Sequence, residues 1–362
     1  MPRNLVLCLD GTSDKFSNTN TNVVKLYTML ARVPDQQLSY YQPGIGTMTP
    51  AAFWGRVRKW FVRQIDLAIA WFLSEHVTDA YRFLMRYYQD GDQIYIFGFS
   101  RGAYTARALA GMLHKVGLLT QGNDALIEFA WDQFKNQDDE GLAAKFKDTF
   151  SRPVRIHFLG LWDTVSSVGW AWDPKHLPYT ANNKSVDKVR HLVALDERRA
   201  YFVQNLWGIE PADVEQLWFP GVHGDVGGGY PEAGAGLSAL ALQWMTDKAI
   251  EAGLIIDPVK RAIVLPAQNS SDGYAAPYAG GPPNYSLLGG WWIPEFIPKP
   301  YRDPRANFEK RWMIHAGRPR YVANDAKISP AVSERMKLVP GYDPPNLPPG
   351  TPTTPRLFRM FM

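Results

Sequence analysis

Apolar residues in this chain fall into short runs separated by longer stretches of helical spacing. Leu5 to Leu9, Ile94 to Phe99, Val154 to Leu161 and Val214 to Phe219 have the length and composition of buried strands. Between the first two, helices are predicted from about Asn22 to Arg32 and through a longer stretch that ends near Gln89. Ala103 to Leu113 is rich in small residues of high helix propensity, which suits a helix lying close on a sheet. From Gly236 to Ala252, Leu237, Leu240, Ala241, Trp244 and Ala249 recur near helical spacing. Strands alternating with helices predict an α/β protein with a mainly parallel sheet and helices on both faces. From Trp54 to Phe72, helical spacing sets Trp54, Val57, Phe61, Ile65, Ala68 and Phe72 on one face and Arg56, Lys59 and Arg63 opposite, with Arg58 the exception.

The pattern lapses after about Asn269. Seven prolines lie between Pro277 and Pro304 and seven more between Pro340 and Pro355, so regular structure should be sparse there. The expectation is one domain over residues 1–362, with 269–362 as its proline-rich cover. Trp291, Trp292, Ile293, Phe296 and Ile297 are too apolar for a solvated linker and are expected to be buried or to cover a pocket.

Composition narrows the function classes. With 362 residues the chain can bury a core without disulfides, and Cys8, the single cysteine, permits none and excludes zinc ribbons and iron–sulfur sites. A net charge of +4 gives no case for nucleic acid. The apolar run at the amino terminus, five residues before Asp10, is too short for a signal peptide. No run approaches the roughly 20 residues of a membrane span. The expected location is the cytoplasm, and a signal-less export route would leave no trace in such a sequence.

The chemistry concentrates at Gly98-Phe99-Ser100-Arg101-Gly102, which follows a strand and opens a helix. That context makes Gly-x-Ser-x-Gly a nucleophile elbow: the glycines fit a tight turn that holds the serine hydroxyl clear of the backbone. A serine nucleophile needs a base, and the base needs an acid to orient it. In folds built on this turn the chain order is serine, acid, histidine. His176, His191, His223 and His315 lie in range. His223 stands out, because it sits in a glycine-rich loop directly after the strand Val214 to Phe219, where a base could reach across to Ser100. His315 is the second candidate, and His157, inside a strand, reads as a core histidine. Asp163, at the carboxyl end of a buried strand, is the expected acid. Asp225 is its rival, but two residues from His223 it is better suited to bond its own loop.

Asp10-Gly11-Thr12 ends the first strand. An oxyanion hole on this turn takes the amide after the serine, here Arg101, and a second from a loop after an earlier strand, here Gly11 or Thr12. Asp10 and Asp225 are read as loop supports. Aspartate-nucleophile phosphatases also carry Asp-Gly-Thr, but this chain has Cys8 where they have a further aspartate, and it lacks a phosphate-binding Gly-rich Lys-Ser/Thr loop.

Seven collinear motifs then resemble one family. Asp10-Gly-Thr12, Asn20-Thr-Asn22, Tyr40 to Thr47, Gly98 to Tyr104, Leu161-Trp-Asp-Thr-Val165, Ala194-Leu-Asp-Glu-Arg198 and Pro220 to Tyr230 are similar to successive motifs of an uncharacterised alpha/beta hydrolase family. That family includes the catalytic domain of type VI secretion phospholipase effectors. The resemblance implies an alpha/beta hydrolase fold and the same triad, Ser100, Asp163 and His223. This chain departs in having Gly224 where the family often has serine, and in lacking the long inserts of the secreted effectors. Asp196, Glu197 and Arg198 are expected to form a buried ion-pair network.

The expected reaction is ester hydrolysis through an acyl-enzyme, with no metal or organic cofactor. The 13 tryptophans and the apolar loop favour a lipid or phospholipid ester. The apolar stripe of 54–72 is expected first to pack on the domain core, with peripheral contact with a membrane as its alternative. A small-ester esterase is the alternative within the class, and a catalytically silent binding module the alternative outside it.

Overall fold

The computed structural model describes residues 2–11, 19–44, 73–137, 139–165, 177–208, 213–269, 273–303 and 309–351. Six strands form one all-parallel sheet: β1 (Asn4–Leu9), β2 (Gln37–Gln42), β3 (Gln93–Phe99), β6 (Ile156–Trp162), β7 (Val186–Ala194) and β8 (Asp213–Phe219), in the order β2-β1-β3-β6-β7-β8. The two-residue strands β4 (Leu118–Leu119) and β5 (Ser151–Arg152) pair separately, antiparallel. Each expected strand is present within two residues of its predicted limits. Two sheet strands, β2 and β7, were not expected. In β2 every residue is polar or half-buried, and the first half of β7 carries Asp187, Lys188 and Arg190, so neither reads as an apolar run.

Side chains alternate across the sheet and build a core on each face. Leu5, Leu7, Leu9, Ile94, Ile96 and Leu159 meet the helix over 73–87 and helix α3 (Arg101–Val116). Val6, Cys8, Tyr95, Phe97 and Trp162 meet α1 (Asn22–Met29) and α7 (Gly236–Glu251). The α/β architecture with helices on both faces is therefore as the periodicity predicts. Among the described residues no helix is long and apolar enough to cross a membrane. The amphipathic stretch 54–72 lies outside the described residues.

Beyond Asn269 the chain makes a hairpin, β9 (Lys299–Asp303) with β10 (Glu309–Met313), and the helix α10 (Pro330–Leu338). This segment protects the outer edge of the sheet. Trp218 of β8 donates its N–H to Lys327 and accepts from the Ser329 N–H, each at 2.9 Å, so the edge strand keeps partners on both sides. Val193, Leu195 and Trp218 are buried there against Val322 and Val332.

Candidate active site

All six strands of the main sheet run the same way, so the turns that follow β1, β3, β6, β7 and β8 gather at one end of it. Ser100 occupies the turn between β3 and α3 at φ 57°, ψ −119°, a left-handed conformation that a non-glycine residue adopts only under constraint. The constraint is visible. The Ser100 N–H donates to the Trp162 carbonyl at the end of β6, 3.0 Å, and the turn lies against the backbone of residues 9–11. A Cβ on Gly102 would collide with the Leu9 carbonyl oxygen, and one on Gly11 would come within 2.8 Å of the Arg101 and Gly102 amide nitrogens. Ser100 is 6% exposed, and among the described residues its hydroxyl has no hydrogen-bond partner. The first amides of α3 have no intrahelical acceptor and open onto the same place.

Asp163, wholly buried and also at positive φ (37°), follows β6. Its Oδ2 accepts from His223 Nδ1 at 2.5 Å. His223 opens the short helix α6 (His223–Gly227) after β8, and its ring lies between Phe99, centroids 4.6 Å apart, and Phe202, 4.8 Å apart. The base candidate is thus packed on the residue that precedes Ser100, with Asp163 behind it. Burial pulls the His223 pKa down, hydrogen bonding and charge from Asp163 push it up, and the net result is below the usual value. For Asp163 burial acts upward, but Arg320 and His223 outweigh it and hold the carboxyl well below the usual carboxylate range.

Asp225 does not touch the imidazole. Its Oδ2 accepts from the Val222 N–H at 2.9 Å and its Oδ1 from Asn284 at 2.6 Å, so it closes its own loop, and burial pushes its pKa up to about 7. Asp10 braces the opposite turn, accepting from the hydroxyls of Thr21 (2.6 Å) and Tyr41 (3.1 Å) and from the Gly11 N–H (2.8 Å). That last bond engages the Gly11 amide. Thr12, the alternative, lies outside the described residues, as does His176. The other histidines are occupied elsewhere: His191 with Gln216 (2.8 Å), His315 with Glu295 (2.8 Å), and His157 with the Ala252 carbonyl (2.9 Å).

Two expectations need correction. Arg198 is exposed, and the arginine that pairs with buried Glu197 is Arg199, at 2.9 Å, while Asp196 hydrogen-bonds Tyr342 and the Gly221 N–H. Glu197 also accepts from the His223 N–H (3.2 Å), and its pairing with Arg199 overcomes burial to hold its pKa at about 2. Of the two alternatives expected for the apolar stretch, burial or cover of a pocket, burial does not hold: Trp291 is 41% exposed, Ile293 70% and Phe296 61%. Buried Glu295 anchors it, accepting from the Ala200 and Gly317 N–H groups and from His315.

Three contributions escape motif reading. Arg320 grips Asp163 from the carboxyl-terminal segment, at 2.6 Å to Oδ1 and 3.1 Å to Oδ2. No local pattern marks it. The Asn20-Thr-Asn22 motif proves to be a strut: Thr21 holds Asp10 and caps α1, and Asn22 donates to the Val226 carbonyl behind His223 at 2.9 Å. At Gly224 a side chain would run into the ring of Tyr230, which accounts for the missing serine.

The family described as T6SS, Phospholipase effector Tle1-like, catalytic domain matches over residues 3–248. The chain belongs to this family. An uncharacterised protein of Saccharomyces cerevisiae is 42% identical over 220 residues, which are 56% of this chain and 32% of the yeast protein. Two solved structures are similar. One, an uncharacterised protein from Pseudomonas aeruginosa, is 23% identical with a TM-score of 0.41, covering 70% of this chain and 46% of that one. The other is a Tle1 effector bound to the VgrG spike of the type 6 secretion system, 18% identical with a TM-score of 0.37, covering 74% and 62%. The chain therefore spans about a third of the yeast relative and about half of the first structural one.

Proposed function

We propose that this chain is a serine hydrolase that cleaves carboxylic esters of lipids, phospholipids first, through Ser100, His223 and Asp163. The observation that carries the reading is the 2.5 Å bond from His223 Nδ1 to Asp163, with the imidazole packed against Phe99 at the elbow. Bonding through Nδ1 leaves Nε2 as the basic nitrogen. His223 takes the Ser100 proton as Oγ bonds the ester carbonyl carbon, and the oxyanion is held by the Arg101 amide and, on this reading, that of Thr12. The carbon–oxygen bond to the alcohol then breaks, and His223 gives its proton to the departing oxygen. Water repeats the sequence on the acyl-enzyme, releasing the acid and restoring Ser100. Membership of a phospholipase catalytic-domain family supports a lipid substrate. So does the exposed aromatic segment: Trp291 packs on Phe202 at 5.7 Å, and Phe202 packs on His223. An apolar face that reaches the base suits a substrate presented in a lipid surface, and the contact would be peripheral. On the same reading the chain is one catalytic domain and 269–362 its cover.

Labelling with a fluorophosphonate, followed by an ester panel varied in chain length and head group, tests this. Labelling at Ser100 and preference for long-chain phospholipid in vesicles are expected. Labelling with activity on short soluble esters alone would leave a small-ester esterase, and no labelling would leave a binding module.

A further inference from the structure

We propose that Arg320 is a positioning residue for the Asp163–His223 pair, so that the segment beyond the family match completes the active site. This rests on the reading of Ser100, Asp163 and His223 as a triad.

Asp163 is fully buried, and a carboxylate there needs a counter-charge or it takes up a proton. The imidazole is neutral for much of the cycle and cannot serve continuously. Arg320 can, because a guanidinium stays charged, and its two-pronged grip on both carboxylate oxygens also fixes the plane of the carboxyl group. The grip is itself immobilised. Nη1 donates to the Ala194 carbonyl at 2.9 Å, and Nε and Nη2 donate to the Phe202 carbonyl at 3.2 and 2.5 Å. Phe202 is the residue whose ring packs on His223. One side chain thus ties together the acid, the end of β7 and the wall of the base. Asn346 secures it from behind, donating to the carbonyls of Arg320 (3.0 Å) and Leu195 (3.1 Å).

The electrostatic consequence has a definite sign. Among the described residues, the charged or titratable groups facing the pair are Arg320 from the carboxyl-terminal segment, Glu197 and Arg199 on the turn after β7, His191 within β7, and Asp225 in the loop of His223 itself. Among them Arg320 is the cation in contact with Asp163. Without it the acid–base pair holds its extra proton more tightly, and the proton is released only at higher pH.

The test compares Arg320→Met, Arg320→Lys, Asp163→Asn and Asp163→Asn/Arg320→Met with the wild type. Two readouts serve: the pH dependence of kcat/KM, and titration of the His223 imidazole by nuclear magnetic resonance, which needs no turnover. For Arg320→Met the expected result is a fall in kcat of roughly 10- to 100-fold, short of the loss on neutralising the acid itself. The acidic limb and the His223 titration should rise by about one unit, the scale on which a neighbouring charge acts. Arg320→Lys keeps the charge and should leave the titration in place while restoring only part of the rate. On the Asp163→Asn background, loss of Arg320 should cost little more. An unmoved titration in folded Arg320→Met, or an undiminished penalty on that background, overturns the assignment. Should Arg320→Met not fold, Arg320→Lys and the double variant, which removes both buried charges, decide alone. A wild type without esterase activity would overturn the functional reading instead, and the titration would still judge Arg320.

Discussion

At the Ser100 turn backbone meets backbone: residues 9–11 and 100–102 approach so closely that Gly11 and Gly102 leave no room for a methyl group, and Arg101 adds a bond from its Nε to the Gly11 carbonyl at 3.1 Å. At Asp163 and His223, by contrast, side chains hold side chains over long stretches of sequence. Asp163 is 60 residues from His223 and 157 from Arg320. The first region is fixed by shape and the second by paired charge in a dry interior. They should therefore fail differently, one through crowding and the other through loss of a counter-charge.

The largest effect expected is on chemistry alone. Ser100→Ala removes the proposed nucleophile without adding volume, so turnover should fall by roughly 10⁴ to 10⁶, as when one member of a cooperative triad is lost. The denaturation midpoint should hold. Normal turnover in this variant would mean that the turn is only structural.

Asp163→Asn attacks the other region. With its Oδ2 bond to Nδ1 weakened and Arg320 left facing a neutral group, kcat should drop by about 10⁴. Asp225→Asn should cost less than tenfold, because Asp225 bonds Val222 and Asn284 rather than the imidazole. Reversal of that order, measured on one soluble ester, would reassign the acid.

The same contrast explains what the sequence makes legible. Gly98 to Gly102 is five contiguous residues whose spacing is dictated by one local turn, and a strand and a helix flank it as expected. Asp163 and His223 could be located because each directly follows a readable apolar strand. Arg320 could not, since its value lies in being brought to Asp163 by a segment whose local pattern is irregular. Edge strand β2 was illegible for a related reason: its polar positions find partners only in the fold, as when Gln37 donates to the Ala31 and Ile255 carbonyls. The exposure of Trp291, Ile293 and Phe296 inverts the rule that apolar clusters go inside, and such violations are expected near sites of function.

Crowding gives a smaller effect with a telling sign. Within a helix Gly→Ala ordinarily stabilises by up to about 1 kcal/mol. Gly102 lies in the first turn of α3, yet its added methyl would run into the Leu9 carbonyl. Gly102→Ala should instead lose on the order of 1–3 kcal/mol, the range for overpacking, with activity falling alongside. A urea midpoint equal to or above that of the wild type would show that the turn has slack.

The last effect separates two buried aspartates by their neighbours. Asp163 has an arginine; Asp225 has an amide and a backbone N–H, and burial leaves its pKa at about 7, above the ordinary 3.8. A carboxyl raised in the folded state contributes stability that is complete below the unfolded value and is lost as pH climbs through the folded one. Asparagine cannot titrate, so the wild type should lose ground against Asp225→Asn between pH 4 and 7, by about 1.4 kcal/mol for each pH unit. Because Asp163, Glu197 and the buried histidines are present in both proteins, their titrations cancel in the difference. Urea midpoints of both proteins at pH 5 and pH 8 measure it: the wild type should compare best at pH 5 and worst at pH 8. A gap that does not change with pH would mean that Asp225 is ionised throughout, and that the two regions differ in packing but not in how they treat a buried charge.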